Sequence, residues 1–157
     1  IVLTVLARRQ TEEHVASLNA ILAAYPGLRA VSFNSYLADD VLLAMLPLLA
    51  GIHSLGIAGY QRMTAQGIEG IAAHCPLLRK LDLNNCEAVT GAVLARLAQG
   101  CPRLQMVDVH RCHRLTAADV AQLGMHWRGL VAVGLPRAVD DAALPQLAAR
   151  CPGLRRV

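Results

Sequence analysis

Residues 75–100 read CPLLRKLDLNNCEAVTGAVLARLAQG, and the stretch that begins at Cys101 reads CPRLQMVDVHRCHRLTAADVAQL. Laid one over the other, Cys75 meets Cys101, Leu78 meets Leu104, and Leu81 and Leu83 meet Val107 and Val109. Cys86 then meets Cys112, Thr90 meets Thr116, and Leu97 meets Leu123. Self-similarity at a fixed period of this size marks a repeat architecture. One such unit cannot bury its apolar face alone, so neighbours stack and share a continuous core.

The period runs well beyond these two copies. Taking Cys75 as an anchor, the anchors are Tyr25, Leu49, Cys75, Cys101, Trp127 and Cys151, at spacings of 24, 26, 26, 26 and 24 residues. Apolar residues follow each anchor at +3, +6 and +8: Leu28, Val31 and Phe33, then Ile52, Leu55 and Ile57, and later Leu130, Val133 and Leu135. Cys151 is followed by Leu154 and Val157. Apolar pairs also precede each anchor by seven and four positions: Leu18/Ile21, Leu42/Met45, Ile68/Ile71, Leu94/Leu97, Val120/Leu123 and Leu144/Leu147.

Each unit therefore carries two internal periods. The +6/+8 pair alternates as a half-buried strand does. The −7/−4 pair has the spacing of one helix face, in segments rich in Ala, Leu, Gln and Arg, which favour helix. Thr90 and Thr116 suit the helix N-cap; Gly100 suits the helix end, with Pro76, Pro102 and Pro152 beyond the helices. A helix over roughly 11–24 is predicted from the same lattice. Val2, Val5 and Ala7 read as the worn strand of one more repeat. The expected organisation is a single domain spanning 1–157, with about six strand–helix units.

The segments Leu78-x-x-Leu81-x-Leu83-x-x-Cys86 and Leu104-x-x-Val107-x-Val109-x-x-Cys112 resemble the leucine-rich repeat consensus L-x-x-L-x-L-x-x-N/C-x-L. The Cys-Pro before each and the Val-Thr or Leu-Thr after the second Cys resemble the cysteine-containing subtype. That subtype is typical of F-box/leucine-rich-repeat proteins, the substrate receptors of cullin-based ubiquitin ligases. The resemblance spans the chain, weakening where Tyr25, Leu49 and Trp127 replace the anchor Cys and where Pro136 and Ala138 break the motif. It implies an α/β leucine-rich-repeat solenoid, a right-handed curved stack whose parallel sheet lines a concave, partner-binding face. No F-box is seen, and the chain starts at Ile1, so a fragment of a longer polypeptide is expected.

Composition narrows the function classes. Apolar residues make up 55% and aromatic residues only 3%, which suits a core of nested aliphatic ladders. The longest apolar run, 41–52, contains Pro47 and is too short to span a bilayer, so no membrane insertion is expected. The net charge of +4 is mildly basic. The basic residues read as scattered, with Arg79, Arg103 and Arg155 recurring near one repeat position and no interleaved aromatics, so no nucleic acid is expected as partner.

Five cysteines and six histidines raise a metal question, with His110-x-Cys112-His113 and His74-Cys75 the nearest groupings. No C-x-x-C pair occurs, as structural zinc sites favour, and the cysteines fall on repeat positions. Buried apolar packing is the better reading, and no metal or cofactor is expected. Their odd number argues against a disulfide framework, which points to a reducing compartment, the cytoplasm. Cys112 and His113 are chain neighbours whose side chains should diverge, a poor nucleophile–base pair. Gly67 and Gly70 fall within a helix and lack the Lys-Ser/Thr of a phosphate loop.

With +6 and +8 facing inward, +5, +7 and +9 face the other side of the sheet. The candidate partner-binding residues are Lys80, Asp82 and Asn84, then Met106, Asp108 and His110, with Asn85, Arg111 and Arg137 in the adjoining turns. Ala30, Ser32, Asn34, Ser54, Gly56, Ala58, Ala132, Gly134 and Pro136 complete the surface with small residues. Asp82 beside Asp108 admits acid–base chemistry, but a face without an enclosing pocket favours binding. The expectation is a protein–protein scaffold and not an enzyme. The alternative is the substrate-recognition part of an F-box-type ubiquitin ligase, reaching a cullin adaptor through a region outside these residues.

Overall fold

A computed structural model describes residues 2–5, 12–33, 38–57, 59, 63–137, 139 and 143–157. Strands and helices alternate along the chain: β1 (Val2–Val5), α1 (Glu12–Ala24), β2 (Ala30–Phe33), α2 (Asp39–Met45), β3 (Ser54–Gly56), α3 (Ala65–His74), β4 (Lys80–Asp82), α4 (Gly91–Gly100), β5 (Met106–Asp108), α5 (Ala117–His126), β6 (Ala132–Gly134) and α6 (Ala143–Arg150). The strands form one 6-stranded sheet in sequential order, every neighbour parallel. Parallel strands need crossovers, and a helix supplies each one.

The register aligns like positions of each repeat. Val31, Leu55, Leu81, Val107 and Val133 stand opposite one another in consecutive strands, all nearly inaccessible to solvent. One step on, Phe33, Ile57, Leu83, Val109 and Leu135 form a second buried row. The predicted helix pairs from Leu42/Met45 to Val120/Leu123 are buried against these rows, and Leu147 with them. This is the two-period template in three dimensions: the strand buries every second residue, and the helix buries its i, i+3 stripe.

Residue number explains the local variation. Repeats of 26 residues carry ten-residue helices, α3 and α4. In the first repeat of 24 residues, α2 has seven and tightens at once into a 3-10 turn, Leu46–Leu49, with Pro47 at its start. A 3-10 turn rises further per residue than an α-helix, so it spans the stack with fewer residues. In the last, α6 has eight.

Thr64, Thr90 and Thr116 cap α3, α4 and α5 through their hydroxyls, and Asp119 completes a capping box with Thr116. Gly100 does end α4, but not as a left-handed cap: a Cβ there would collide with the Ala72 carbonyl oxygen of α3. Close helix approach, not a turn, requires that glycine.

The lattice slips at the N-terminal end. Tyr25 is 54% exposed, whereas every later anchor is buried. On α1, Leu18 packs on the core as predicted, but Ile21 is 39% exposed and Leu22, 4% exposed, takes its place in the stripe. β1 is a strand, as read, but its register pairs Leu3 with Val31 and Val5 with Phe33. Leu3 packs on the core, and Val2 pairs with the outward Ala30; Ala7 and Thr11 lie outside the described residues.

Candidate functional site

The sheet face away from the helices carries the predicted surface. Lys80, Met106 and Ala132 stand opposite one another, and Arg156 continues the row through an isolated parallel bridge to Ala132. The next row outward is Gly56, Asp82, Asp108 and Gly134. All of these except Gly56, with His110 and Val157, line an open concavity of about 290 Å³. Val157, which its +6 spacing from Cys151 places inward, is instead 61% exposed, and Arg156 joins the expected surface residues. The +5 position after Cys151 pointed to Arg156, because the same step from Cys75 reaches Lys80.

Each aspartate has a local task that spacing alone did not reveal. Asp82 Oδ1 accepts the Asn84 backbone N–H at 3.0 Å, and Asp108 Oδ1 accepts that of His110 at 2.9 Å. These are Asx-type turns, in which a short carboxylate closes the chain two residues on. Asp108 Oδ1 also meets His110 Nδ1 at 3.1 Å. Asp82 and Asp108 remain direct neighbours across two strands. Burial pushes the Asp82 carboxyl above its ordinary value; the Asn84 N–H opposes this, and the Asp108 charge adds to it.

Gly134 makes room for this arrangement. A Cβ on it would lie 2.5 Å from Asp108 Oδ1 and 2.7 Å from His110 Nδ1. The aspartate–histidine pair thus lies over the next strand, which needs a residue without a side chain there. Gly56 gives Ser32 the same space, with a built Cβ only 2.7 Å from its hydroxyl.

The turns that follow hold the rest. Asn85 takes φ 61° and donates its backbone N–H to the His110 carbonyl at 2.7 Å. Arg111, one repeat on, takes φ 57° and is exposed, and Arg137 is exposed at the same position of the next repeat. Asn84 is half-buried, its carbonyl accepting the Gly59 N–H at 2.6 Å. The last repeat departs from expectation: Ala132 and Pro136 are buried, not displayed. Asn34 and Ala58 lie outside the described residues.

The cysteines are buried, as expected, but they are more than filler. Each anchor side chain from Cys75 onward donates to the carbonyl of the preceding anchor. Cys75 Sγ reaches Leu49 O at 3.7 Å, Cys101 Sγ reaches Cys75 O at 3.2 Å, Trp127 Nε1 reaches Cys101 O at 2.9 Å, and Cys151 Sγ reaches Trp127 O at 3.4 Å. Trp127 thus replaces a cysteine with another donor. A second ladder runs from Cys86 Sγ to Ile57 O and from Cys112 Sγ to Leu83 O, at 3.6 and 3.2 Å. A donor must keep its proton, and burial ensures this: it pushes the Cys101 and Cys112 thiols up to about 11 and, with the Cys101 charge adding to it, the Cys75 thiol up to about 12.

These facts bear on the chemical alternatives. Cys112 is buried and protonated while its neighbour His113 is exposed, so they do not form a nucleophile and base. Among the described residues no three His, Cys, Asp or Glu side chains converge to hold a metal. No helix among them is long and apolar enough to cross a membrane.

No family model matches the chain, and no curated protein matches its sequence. Solved structures do. A chain in the crystal structure of the yeast Rad7 and Elc1 complex is 19% identical with a TM-score of 0.67, covering 87% of this chain and 33% of that one. The leucine-rich repeat-containing protein LegL7 of Legionella pneumophila is 14% identical with a TM-score of 0.62, covering 89% of this chain and 50% of that one. This chain thus spans a third to a half of the structures it resembles. At such identities the likeness establishes the fold: an α/β solenoid of the leucine-rich-repeat type.

Proposed function

We propose that this chain is a protein-interaction scaffold that holds a partner protein against the open face of its sheet, as the docking or assembly subunit of a larger complex. The observation that carries this reading is the row of Asp82 and Asp108, in register on adjacent strands and set in a concavity with Lys80 and Arg156 at its sides. Like charges directly opposite each other across strands cost stability. Each Asx turn uses one oxygen of its carboxylate; a polar recognition surface uses the rest of the paired charge. The open concavity suits a macromolecular surface better than an enclosed small substrate. We take the chain as one domain, and its buried thiol donors suit a reducing compartment, the cytoplasm.

The test begins by affinity purification of partners with the chain, followed by a binding isotherm for the partner recovered. Replacing Asp82 and Asp108 with Ala should weaken that binding by about tenfold or more, with far-UV circular dichroism unchanged. Undiminished affinity in a folded variant refutes the reading.

A second reading has its own observation. Donor ladders built from cysteines at two repeat positions fit the cysteine-containing repeats of F-box-type substrate receptors. The similar yeast chain was also crystallised within a complex of Rad7 and Elc1. In that case the bound partner is a protein presented for ubiquitin transfer, and a cullin-ligase adaptor should co-purify with the full-length protein.

A further inference from the structure

We infer that the turn 110–114, with Arg137 at the matching position of the next repeat, is the docking edge for an acidic segment of the partner protein. This rests on the reading of the open sheet face as the docking surface, and it names the chemistry of what lies along that surface's rim. The turn reads His110-Arg111-Cys112-His113-Arg114. Cys112 points into the core, and the other four residues are exposed. The corresponding turn one repeat earlier reads Asn84-Asn85-Cys86-Glu87-Ala88. The cysteine is common to both and belongs to the framework; the basic residues do not.

Backbone geometry makes the same separation. Position +10 is left-handed in three consecutive repeats: Gly59 at φ 84°, Asn85 at φ 61° and Arg111 at φ 57°. Glycine takes that conformation without steric cost, and asparagine tolerates it through local hydrogen bonding. Arginine has neither advantage. The stack therefore carries a costly residue where two cheaper ones serve elsewhere, and displays its guanidinium to solvent. Among the described residues, which exclude Asp140 and Asp141, no carboxylate pairs with Arg111, Arg114 or Arg137. His110 faces Asp108, so three arginines provide the unmatched charge.

The charge layout selects the partner. His110 lines the concavity and continues directly into Arg111, so one partner can cover the floor and the rim together. Arginine forks bind carboxylates in bidentate fashion. A nucleic acid fits less well: the turn has no aromatic residue for base stacking, and Asp82 and Asp108 would meet its continuous phosphate charge.

The probe is a fluorescein-labelled dodecapeptide of alternating Glu and Ser, titrated with the full chain by fluorescence anisotropy. A Lys/Ser peptide and a twelve-nucleotide oligothymidylate serve as controls. The Glu peptide should bind best, and the triple variant Arg111→Asn, Arg114→Gln, Arg137→Gln should lose about tenfold or more in affinity. Arg111→Asn alone should weaken the peptide while raising the melting temperature, because asparagine eases the left-handed turn. Equal affinity in the triple variant, tighter binding of the oligothymidylate, or a lowered melting temperature for Arg111→Asn overturns the inference. Failure of the scaffold reading shows separately, as undiminished affinity of the purified partner for the aspartate variant.

Discussion

The first two repeats and the later ones solve one problem differently. From Cys75 onward, each anchor side chain donates a hydrogen bond to the carbonyl of the repeat before it. That carbonyl also accepts the N–H three residues ahead, as Cys101 O does from Leu104, so both lone pairs are used. At the start of the chain Leu49 has no donor to offer, and the Tyr25 carbonyl accepts the Leu28 N–H. Tyr25 itself faces solvent. Caps divide one repeat earlier: Thr64, Thr90 and Thr116 cap their helices, while Ala38 before α2 offers no side-chain cap. Here apolar packing and the Asp39 carboxylate, which accepts the Thr64 N–H at 3.0 Å, join neighbouring units. The later repeats are tied by polar ladders as well as by packing. A donor at the anchor is what allows the ladder: the 24-residue repeat that ends at Cys151 carries it, and the one that ends at Leu49, of the same length, does not.

Three comparisons probe this difference. The largest effect is expected in α1, the helix ahead of the first repeat. Leu22→Ala should cost about 2–5 kcal/mol as a core truncation, whereas Ile21→Ala should cost about 0.5 kcal/mol or less as a surface change. Denaturant unfolding would measure both, and the reverse order would restore the −4 stripe to α1. Next, Trp127→Phe keeps most of the ring but strands the Cys101 carbonyl without its side-chain donor, at about 1–3 kcal/mol. Leu49→Met, at an anchor that donates nothing, should cost less than about 1.5 kcal/mol. Equal losses would mean that anchors act through volume alone.

Per group and per pH unit, the smallest effect is alkaline. Below the ordinary thiol value of 9.0, folded and unfolded chains are both protonated and the thiols contribute their full stability. Above it the unfolded chain ionises first, so stability should fall by about 1.4 kcal/mol per pH unit for each thiol, until the folded values of about 11 and 12 are reached. Denaturant midpoints at stepped pH would show the decline. Cys75→Ala and Cys101→Ala variants should show it less steeply, and an unchanged slope would remove the thiols as its cause.

Residue spacing was enough to place the rows Leu55–Leu81–Val107 and Ile57–Leu83–Val109, because alternation along a strand and stacking between repeats obey strict geometric periods. The same periods placed Lys80, Asp82, Met106 and Asp108 on the opposite face. They misplaced Ile21, since nothing local distinguishes it from Leu22 in the apolar run Ala20–Ala24 that ends α1. They also assigned Pro136 to the surface, although it is buried.

Spelling and order in this chain dictate where it coils, how long each unit is, and which side of each strand meets the core. These follow from local preferences summed over neighbours that repeat. Which carbonyl Cys101 or Trp127 reaches, why Gly134 and Gly100 must lack a side chain, and that Arg156 closes the concavity beside Met106 and Ala132 emerge from folding. Each depends on the distance between atoms some two dozen residues apart, and packing of whole units sets that distance.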